Sequence, residues 1–192
     1  MNKNKAIQSV NEIKELMELS SKFISLSGLS GILVGIYSLV GSWFVLKDPS
    51  ASLDKVILIA LAVFLMSVVT AFLISLYKSR KSGQKLFNKL TYQLIWNFSV
   101  PLLAGGLFCL ALIVHEYYSL TSCVMLLFYG LALVNVSKFT FSNVGWLGYS
   151  FLILGLLDCF FAGNEVLFWA IGFGVFHIVY GVLFYFLYER GK

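Results

Sequence analysis

Six long apolar stretches occupy most of this chain, and they restrict its fold more than any other feature. A transmembrane helix needs about 20 consecutive, largely apolar residues, and the stretches match or approach that length. Membrane β-strands would instead alternate apolar and polar residues over about ten positions. The sequence therefore predicts an all-α bundle of six transmembrane helices. The predicted spans are about 23–46, 56–77, 94–114, 120–136, 144–161 and 166–188.

The composition agrees with a chain that is surrounded by a lipid bilayer. Of the 192 residues, 59% are hydrophobic and only 12% are charged, which is too little charge to cover the surface of a soluble domain. We therefore expect residues 23–192 to form a single transmembrane domain. The net charge of +5 does not indicate nucleic-acid binding, because the basic residues lie in short segments between spans, where they meet anionic headgroups.

The basic residues also predict the orientation of the bundle. With the N-terminus in the cytoplasm, all of the 14 Lys and Arg residues except Lys47 and Lys55 fall on the cytoplasmic side. This asymmetry is the positive-inside bias of membrane proteins. The four tryptophans fall near predicted span ends, where amphipathic rings prefer to lie. The sequence thus predicts a multi-pass protein of a bacterial inner membrane with both termini in the cytoplasm.

Residues 1–22 precede the first span and show a helical periodicity of their own. Ala6, Val10, Ile13 and Met17 recur at spacings of three and four residues, which predicts a cytoplasmic amphipathic helix that continues into span one. Its apolar seam suits a protein partner, while a position on the membrane surface is the alternative. The mixed charge of the other face weakens simple lipid binding.

Span one carries small residues on one helical face. Ser27, Gly31 and Gly35 recur every four residues, with Gly28 beside them. Such a face lets another helix approach closely. The sequence therefore predicts a helix-packing seam along this span.

A catalytic interpretation of the same segment depends on Ser30. The residues from Gly28 to Gly31 resemble the G-x-S-G motif of rhomboid-type intramembrane proteases, which would make His177 the base that a serine nucleophile needs. Ser30, however, is predicted to lie nearer the cytoplasmic end than His177. Rhomboids also carry the motif in their fourth span rather than their first. The packing seam is therefore the preferred interpretation.

His177 and Tyr180 lie one helical turn apart near the predicted middle of span six. An ionisable group at this depth is costly and normally faces the bundle interior. His177 could be a proton relay, a haem or metal ligand, or a neutral histidine that makes a hydrogen bond. The other histidine, His115, is predicted at a different depth, and a metal site needs three or four ligands. We therefore prefer a structural histidine and predict no metal or cofactor.

Three further polar residues lie in or near the predicted spans. Asp158 is the only acidic residue inside a span, about a turn from the outer end of span five, where it could bind a cation or a proton or extend to the interface. Asn97 and Asn135 fall near the cytoplasmic ends of spans three and four, and such asparagines usually join helices by hydrogen bonds. A small transport path near Asp158, His177 and Asn135 is the functional alternative.

The cysteines and glycines suggest two longer-range relations. Cys123 and Cys159 both approach the outer side, where an oxidising compartment could join them, although isolated membrane cysteines are usually small packing residues. Similar short sequences begin at Gly35, Gly106 and Gly155 in the odd-numbered spans. Three helical hairpins in series would produce this pattern, and the chance recurrence of common membrane residues is the alternative.

The chain resembles a family of uncharacterised bacterial six-span membrane proteins over most of its length from residue 23 onward. The resemblance implies the six-span fold and no known activity. The glycine-centred repeats are also similar to HdeD-type acid-resistance membrane proteins, which look like three successive hairpins. Neither resemblance supplies a site residue. The segments that carry the first are FISLSGLSGILVGIYSLVG, NFSVPLLAGGLFCL, FYGLALVNVSKFT and FWAIGFGVFHIVYG.

No catalytic constellation emerges from these patterns. The sequence therefore predicts a non-enzymatic membrane protein that acts through helix or partner contacts. A role in sensing or in a stress response is the associated hypothesis. The partner would be another protein at the N-terminal helix or a second copy of the chain. A small transporter or channel is the competing class, and an intramembrane hydrolase is third.

Overall fold

The computed structural model describes residues 27–48, 50–81, 89–161 and 163–190. These residues form six helices that are each long and apolar enough to cross a membrane, so the chain is a multi-pass membrane protein with the predicted all-α bundle. The predicted N-terminal helix, residues 1–22, lies outside the described residues. The helices are α1 (Gly28–Lys47), α2 (Leu53–Lys81), α3 (Lys89–Val114), α4 (Thr121–Val136), α5 (Ser142–Phe160) and α6 (Glu165–Glu189).

The predicted spans are close to these helices, but α2 and α3 are longer than their apolar stretches. α2 continues to Lys81 and α3 begins at Lys89, because helix formation does not stop where the chain leaves the hydrocarbon. Lysine stems can lie along apolar surface while their charged heads reach the interface. α3 also retains Pro101 in its interior, as membrane helices can.

α6 is not a regular α-helix throughout. Its segments Ala170–Phe176 and Tyr185–Glu189 are wider π-helical turns, which flank the α-helical segment His177–Phe184. The first π segment contains two glycines and ends immediately before His177. π-Turns often occur at functional sites in helices, and here one sets the position of the buried histidine.

The helices pack side by side in a row, and α4, α5 and α6 form its centre. α1 and α6 make the most extensive contact, followed by α4 and α5, while α3 packs on α4 and α2 packs on α1. Phe151 of α5 and Leu126 of α4 are fully buried in the central cluster. α2 lies at one end of the row, and only Val63 and Ser79 of its residues are buried. The other α2 residues are exposed or partly buried within the described part of the chain.

Glycines bring α4 and α5 together in an antiparallel seam. A Cβ on Gly148 would lie 2.8 Å from the main-chain nitrogen of Val134, and one on Gly155 would lie 2.9 Å from the side chain of Leu127. Both distances are shorter than real Cβ contacts, so only glycine fits. Close approach at small residues is how helices gain packing contacts in a membrane.

The glycines of the proposed hairpin repeat have three different environments. Gly35 packs against α6 and Gly155 packs against α4, whereas a Cβ on Gly106 would have no neighbour within 4 Å. α5 and α6 also contact each other less extensively than α1 and α2 or α3 and α4 do. The three pairs therefore do not pack as equivalent hairpins.

Both ends of the described chain lie on one side of the bundle, as six spans require. The main-chain nitrogen of Gly28 donates a hydrogen bond to Glu189 Oε1 at 3.2 Å. We call this the terminal side. The turns that join α1 to α2, α3 to α4 and α5 to α6 lie on the opposite side.

Candidate functional site

The buried histidine of α6 is hydrogen-bonded through both ring nitrogens. Nε2 of His177 lies 2.7 Å from the Tyr129 hydroxyl, and Nδ1 lies 3.3 Å from the Gly172 carbonyl oxygen. A carbonyl oxygen can only accept, so Nδ1 carries the proton and Nε2 of the neutral ring accepts from the Tyr129 hydroxyl. The histidine therefore joins α6 to α4.

Aromatic rings surround this pair. The ring centres of Tyr129 and Phe151 each lie 5.5 Å from the centre of the His177 ring, and that of Phe173 lies 6.1 Å away. His177 is only 6% exposed. A neutral, hydrogen-bonded imidazole suits such an apolar enclosure, whereas an isolated charge there would be costly. The surroundings thus favour the structural interpretation of His177.

Tyr180 does not share in the hydrogen bonds of His177. Its ring packs against the central cluster, and its hydroxyl is buried without a hydrogen-bond partner in the described part of the chain. His177 and Tyr180, one helical turn apart, therefore do not share a hydrogen-bond network among the described residues.

The two asparagines join α3 to α4 on the terminal side of the bundle. Asn135 Nδ2 donates to the main-chain oxygen of Asn97 at 2.9 Å and lies 3.3 Å from its side-chain oxygen. Asn97 Nδ2 in turn donates to the carbonyl oxygen of Gln93 at 2.7 Å. Such bonds between helices stabilise a membrane bundle. The arrangement is the cross-link that asparagines usually form.

Asp158 lies near the opposite side and is almost completely buried, with 2% of its surface exposed. It therefore does not extend to the outer interface, and that alternative is wrong. Neither carboxylate oxygen has a hydrogen-bond partner of good geometry among the described residues. The Ser122 hydroxyl is close, but it donates to the Glu165 carbonyl oxygen at 3.0 Å. Asp158 is thus the buried acid whose hydrogen-bonding capacity the fold leaves unused.

The structure does not bring Asp158, His177 and Asn135 into one site. Tyr129 and Gly172 bond to His177, and Asn97 bonds to Asn135. The hydrogen bonds of the two residues are thus separate, and Asp158 belongs to neither set. Within residues 27–48, 50–81, 89–161 and 163–190, no three His, Cys, Asp or Glu side chains are grouped to hold a metal ion.

The small-residue seam of α1 packs against glycines of α6. A Cβ on Gly35 would lie 2.6 Å from the carbonyl oxygen of Gly174, and a Cβ on Gly31 would lie 3.2 Å from the Cα atom of Gly181. Gly28 lies against the carbonyl oxygen of Gly181. The seam thus brings the backbones of α1 and α6 into direct contact. The small-residue spacing predicted such a close contact but did not identify the partner helix.

This packing corrects one step of the argument against a serine nucleophile. A Cβ on Gly31 would lie 3.3 Å from the carbonyl oxygen of His177, so Ser30 and His177 lie at similar depths rather than at different ones. The Ser30 hydroxyl, however, donates to the Ser27 carbonyl oxygen at 2.7 Å. Because Nε2 of the histidine is bonded to Tyr129, the two side chains do not form a nucleophile–base pair.

A polar contact that the sequence did not suggest ties three helix ends together on the terminal side. Glu189 Oε1 accepts from the Gly28 main-chain nitrogen and pairs with Lys78 Nζ at 2.5 Å. A carboxylate is favourable at a helix N-terminus, where free N–H groups point outward. We call Gly28, Lys78 and Glu189 the clasp. Charge counting treated Lys78 only as an interfacial residue, because sequence does not show which helix ends meet.

The chain was compared with protein-family models, curated proteins and solved structures, and none of the three comparisons finds a match.

Proposed function

We propose that this chain is a non-enzymatic protein of a bacterial inner membrane that acts by contact with a partner protein. The proposal rests on the hydrogen bonds that interior polar side chains make between helices. His177 is bonded to Tyr129 and Asn135 to Asn97, so these groups hold helices together.

The distribution of charge supports an orientation with the terminal side in the cytoplasm. The opposite side has Lys47 and Lys55. Cytoplasmic segments are enriched in Lys and Arg, which favours a cytoplasmic N-terminus. The described basic residues of the terminal side are Lys78, Arg80, Lys81, Lys89, Lys138 and Arg190.

The clasp gives the N-terminal segment a route to the bundle. Residues 1–22 carry the apolar periodicity expected of a partner-binding helix, and the chain enters α1 directly at the clasp. Through Glu189 and Lys78, the start of α1 is fixed to the ends of α6 and α2. A partner that binds residues 1–22 would therefore act on three helices at once.

Affinity capture of the full chain and of a variant lacking residues 1–20 tests this proposal. We expect the deletion to lose the partner and to insert normally. A variant with Val10, Ile13 and Met17 changed to serine should lose the same partner. A matched variant with Lys14 and Glu18 changed to serine should retain it, because these residues lie off the apolar seam. Recovery of the same partners by all four chains would contradict the proposal, and recovery of the chain itself would identify a homo-oligomer.

A small transporter is the second candidate, and one observation favours it. The Asp158 carboxylate is buried without a hydrogen-bond partner among the described residues, as a proton- or cation-binding group can be. Flux in proteoliposomes that Asp158→Asn abolishes would support transport. The absence of proton and common-cation flux with the wild-type chain would reject it.

A further inference from the structure

Two cysteines face each other across the seam of α4 and α5. Along this seam Gly145 lies against Ser137, whose hydroxyl oxygen would be 3.2 Å from a Cβ on Gly145. The next contacts described above pair Gly148 with Val134 and Gly155 with Leu127. From each contact to the next, the residue number rises along α5 and falls along α4 by the same amount. These differences correspond to whole turns of helix. The layer that follows consists of Cys159 and Cys123.

The side chains agree with this register. The two thiols are neighbours and both are free, and the Cys123 thiol donates to the Leu120 carbonyl oxygen at 3.2 Å. Their exposure differs: Cys123 is 2% exposed, whereas Cys159 is exposed in the last turn of α5, at the end of the span. An exposed thiol at a span end beside a buried one is the arrangement needed for attack on an external disulfide followed by internal resolution.

Asp158 supplies the third group. Its carboxyl group lies near Cys123 and has no hydrogen-bond partner of good geometry in the described chain. The other polar side chains around it are Ser122 of α4 and Glu165 of α6. A buried carboxylate that no hydrogen bond occupies can accept a proton from a neighbouring thiol.

We propose that Cys123, Cys159 and Asp158 form a thiol–disulfide exchange site near the opposite side of the bundle. The Cys159 thiol loses its proton to the aqueous phase, and its thiolate attacks one sulfur of an external disulfide, forms a mixed disulfide and releases the first thiolate. Cys123 then gives its proton to Asp158 and attacks Cys159 Sγ, which forms the internal disulfide and releases the second thiolate. The cysteine pair loses two electrons and the external disulfide gains them. Each chain is oxidised once in this exchange, so the site makes a non-enzymatic chain redox-sensitive, and the proposal does not depend on the N-terminal partner.

The test uses the purified full chain in nanodiscs, with oxidised glutathione as the probe. After acid quenching and alkylation, peptide mapping should show a Cys123–Cys159 link and a free Cys109. Cys109 is the internal control because it also packs near Cys123. A stable glutathione adduct on the wild-type chain without this link, or a link to Cys109, would overturn the proposal.

Single variants separate the steps. Cys123→Ser should trap glutathione on Cys159, and Cys159→Ser should not react in the same time. Asp158→Asn should slow resolution of the mixed disulfide about a hundred-fold, the scale of a lost proton acceptor, while Asp54→Asn on α2 should not change it. Equal resolution rates in these two variants would overturn the role of Asp158. The wild-type mapping remains decisive if a variant folds poorly.

Discussion

Tyr129 shows how single side chains shape this bundle, because its hydroxyl donates the hydrogen bond that His177 Nε2 accepts. The sequence placed His177 in the interior from its position in span six. It did not identify Tyr129, because a tyrosine in an apolar stretch has no feature that distinguishes a hydrogen-bond donor from a packing residue. The donor is found only when the packing of α4 on α6 is known.

Replacing Tyr129 with phenylalanine should destabilise the fold. The substitution leaves Nε2 of a buried histidine without a donor, which should lower the free energy of unfolding by about 1–2 kcal/mol. Unfolding in mixed detergent micelles measures this change. Tyr149→Phe is the control, since Tyr149 is half exposed on the surface of α5. Equal stability of the two variants would show that the Tyr129–His177 bond does not contribute.

Asp48 gives a pH prediction in the turn between α1 and α2. Hydrogen bonds from Lys55 and then Ser50, with the charge of Lys55, hold the pKa of Asp48 below its ordinary value of 3.8. The ionised form is therefore favoured in the folded chain. Any stabilisation is present above pH 3.8 and is lost as the pH falls through the lowered pKa.

Lys55→Met should raise the pKa of Asp48 toward 3.8, and carboxyl NMR titration measures it. Because the pair is exposed, added salt should raise the wild-type value in the same direction. A pKa that is the same in the variant and the wild type would show that the ion pair does not form in solution.

At the scale of helices, the sequence located elements better than contacts. Lipid tails are as apolar as leucine, so hydrophobicity does not select which helices pair. The spacing of Gly31 and Gly35 indicated a close contact but not its partner. The glycines of α6 are equally uninformative alone, and their pairing with α1 joins the first and last spans. No pattern in the sequence before His177 indicated π-helical turns rather than a regular α-helix.

Gly35 and Gly106 form a matched pair for testing the seam. Gly35→Ala should lower the free energy of unfolding by about 2 kcal/mol, because its Cβ would collide with α6. Gly106→Ala should change it by less than about 0.5 kcal/mol, since its Cβ would have open space around it. Unfolding in mixed micelles compares them. A Gly35→Ala variant as stable as Gly106→Ala would contradict the packing of α1 on α6.

At the scale of the whole molecule, the six-span architecture follows from the apolar stretches, and the packing order does not. The equivalent hairpins suggested by Gly35, Gly106 and Gly155 fail because recurring glycines serve different contacts. In the clasp, Gly28 and Glu189 are 161 positions apart in the sequence. Local sequence patterns carry no information about contacts at such a separation. Residue type alone was enough to place the asparagines as helix cross-links.

The proposed orientation of the six-span bundle places the clasp and both termini in the cytoplasm, because partner binding at residues 1–22 requires it. Impermeant maleimide labelling of right-side-out vesicles distinguishes this orientation from the reverse one. The three native cysteines are replaced by serine, and single cysteines are placed at Ser50 and at Lys138, both exposed in turns. The cysteine at position 50 should react at once, and the one at position 138 only after permeabilisation. Reaction at position 138 with protection at position 50 would contradict the account.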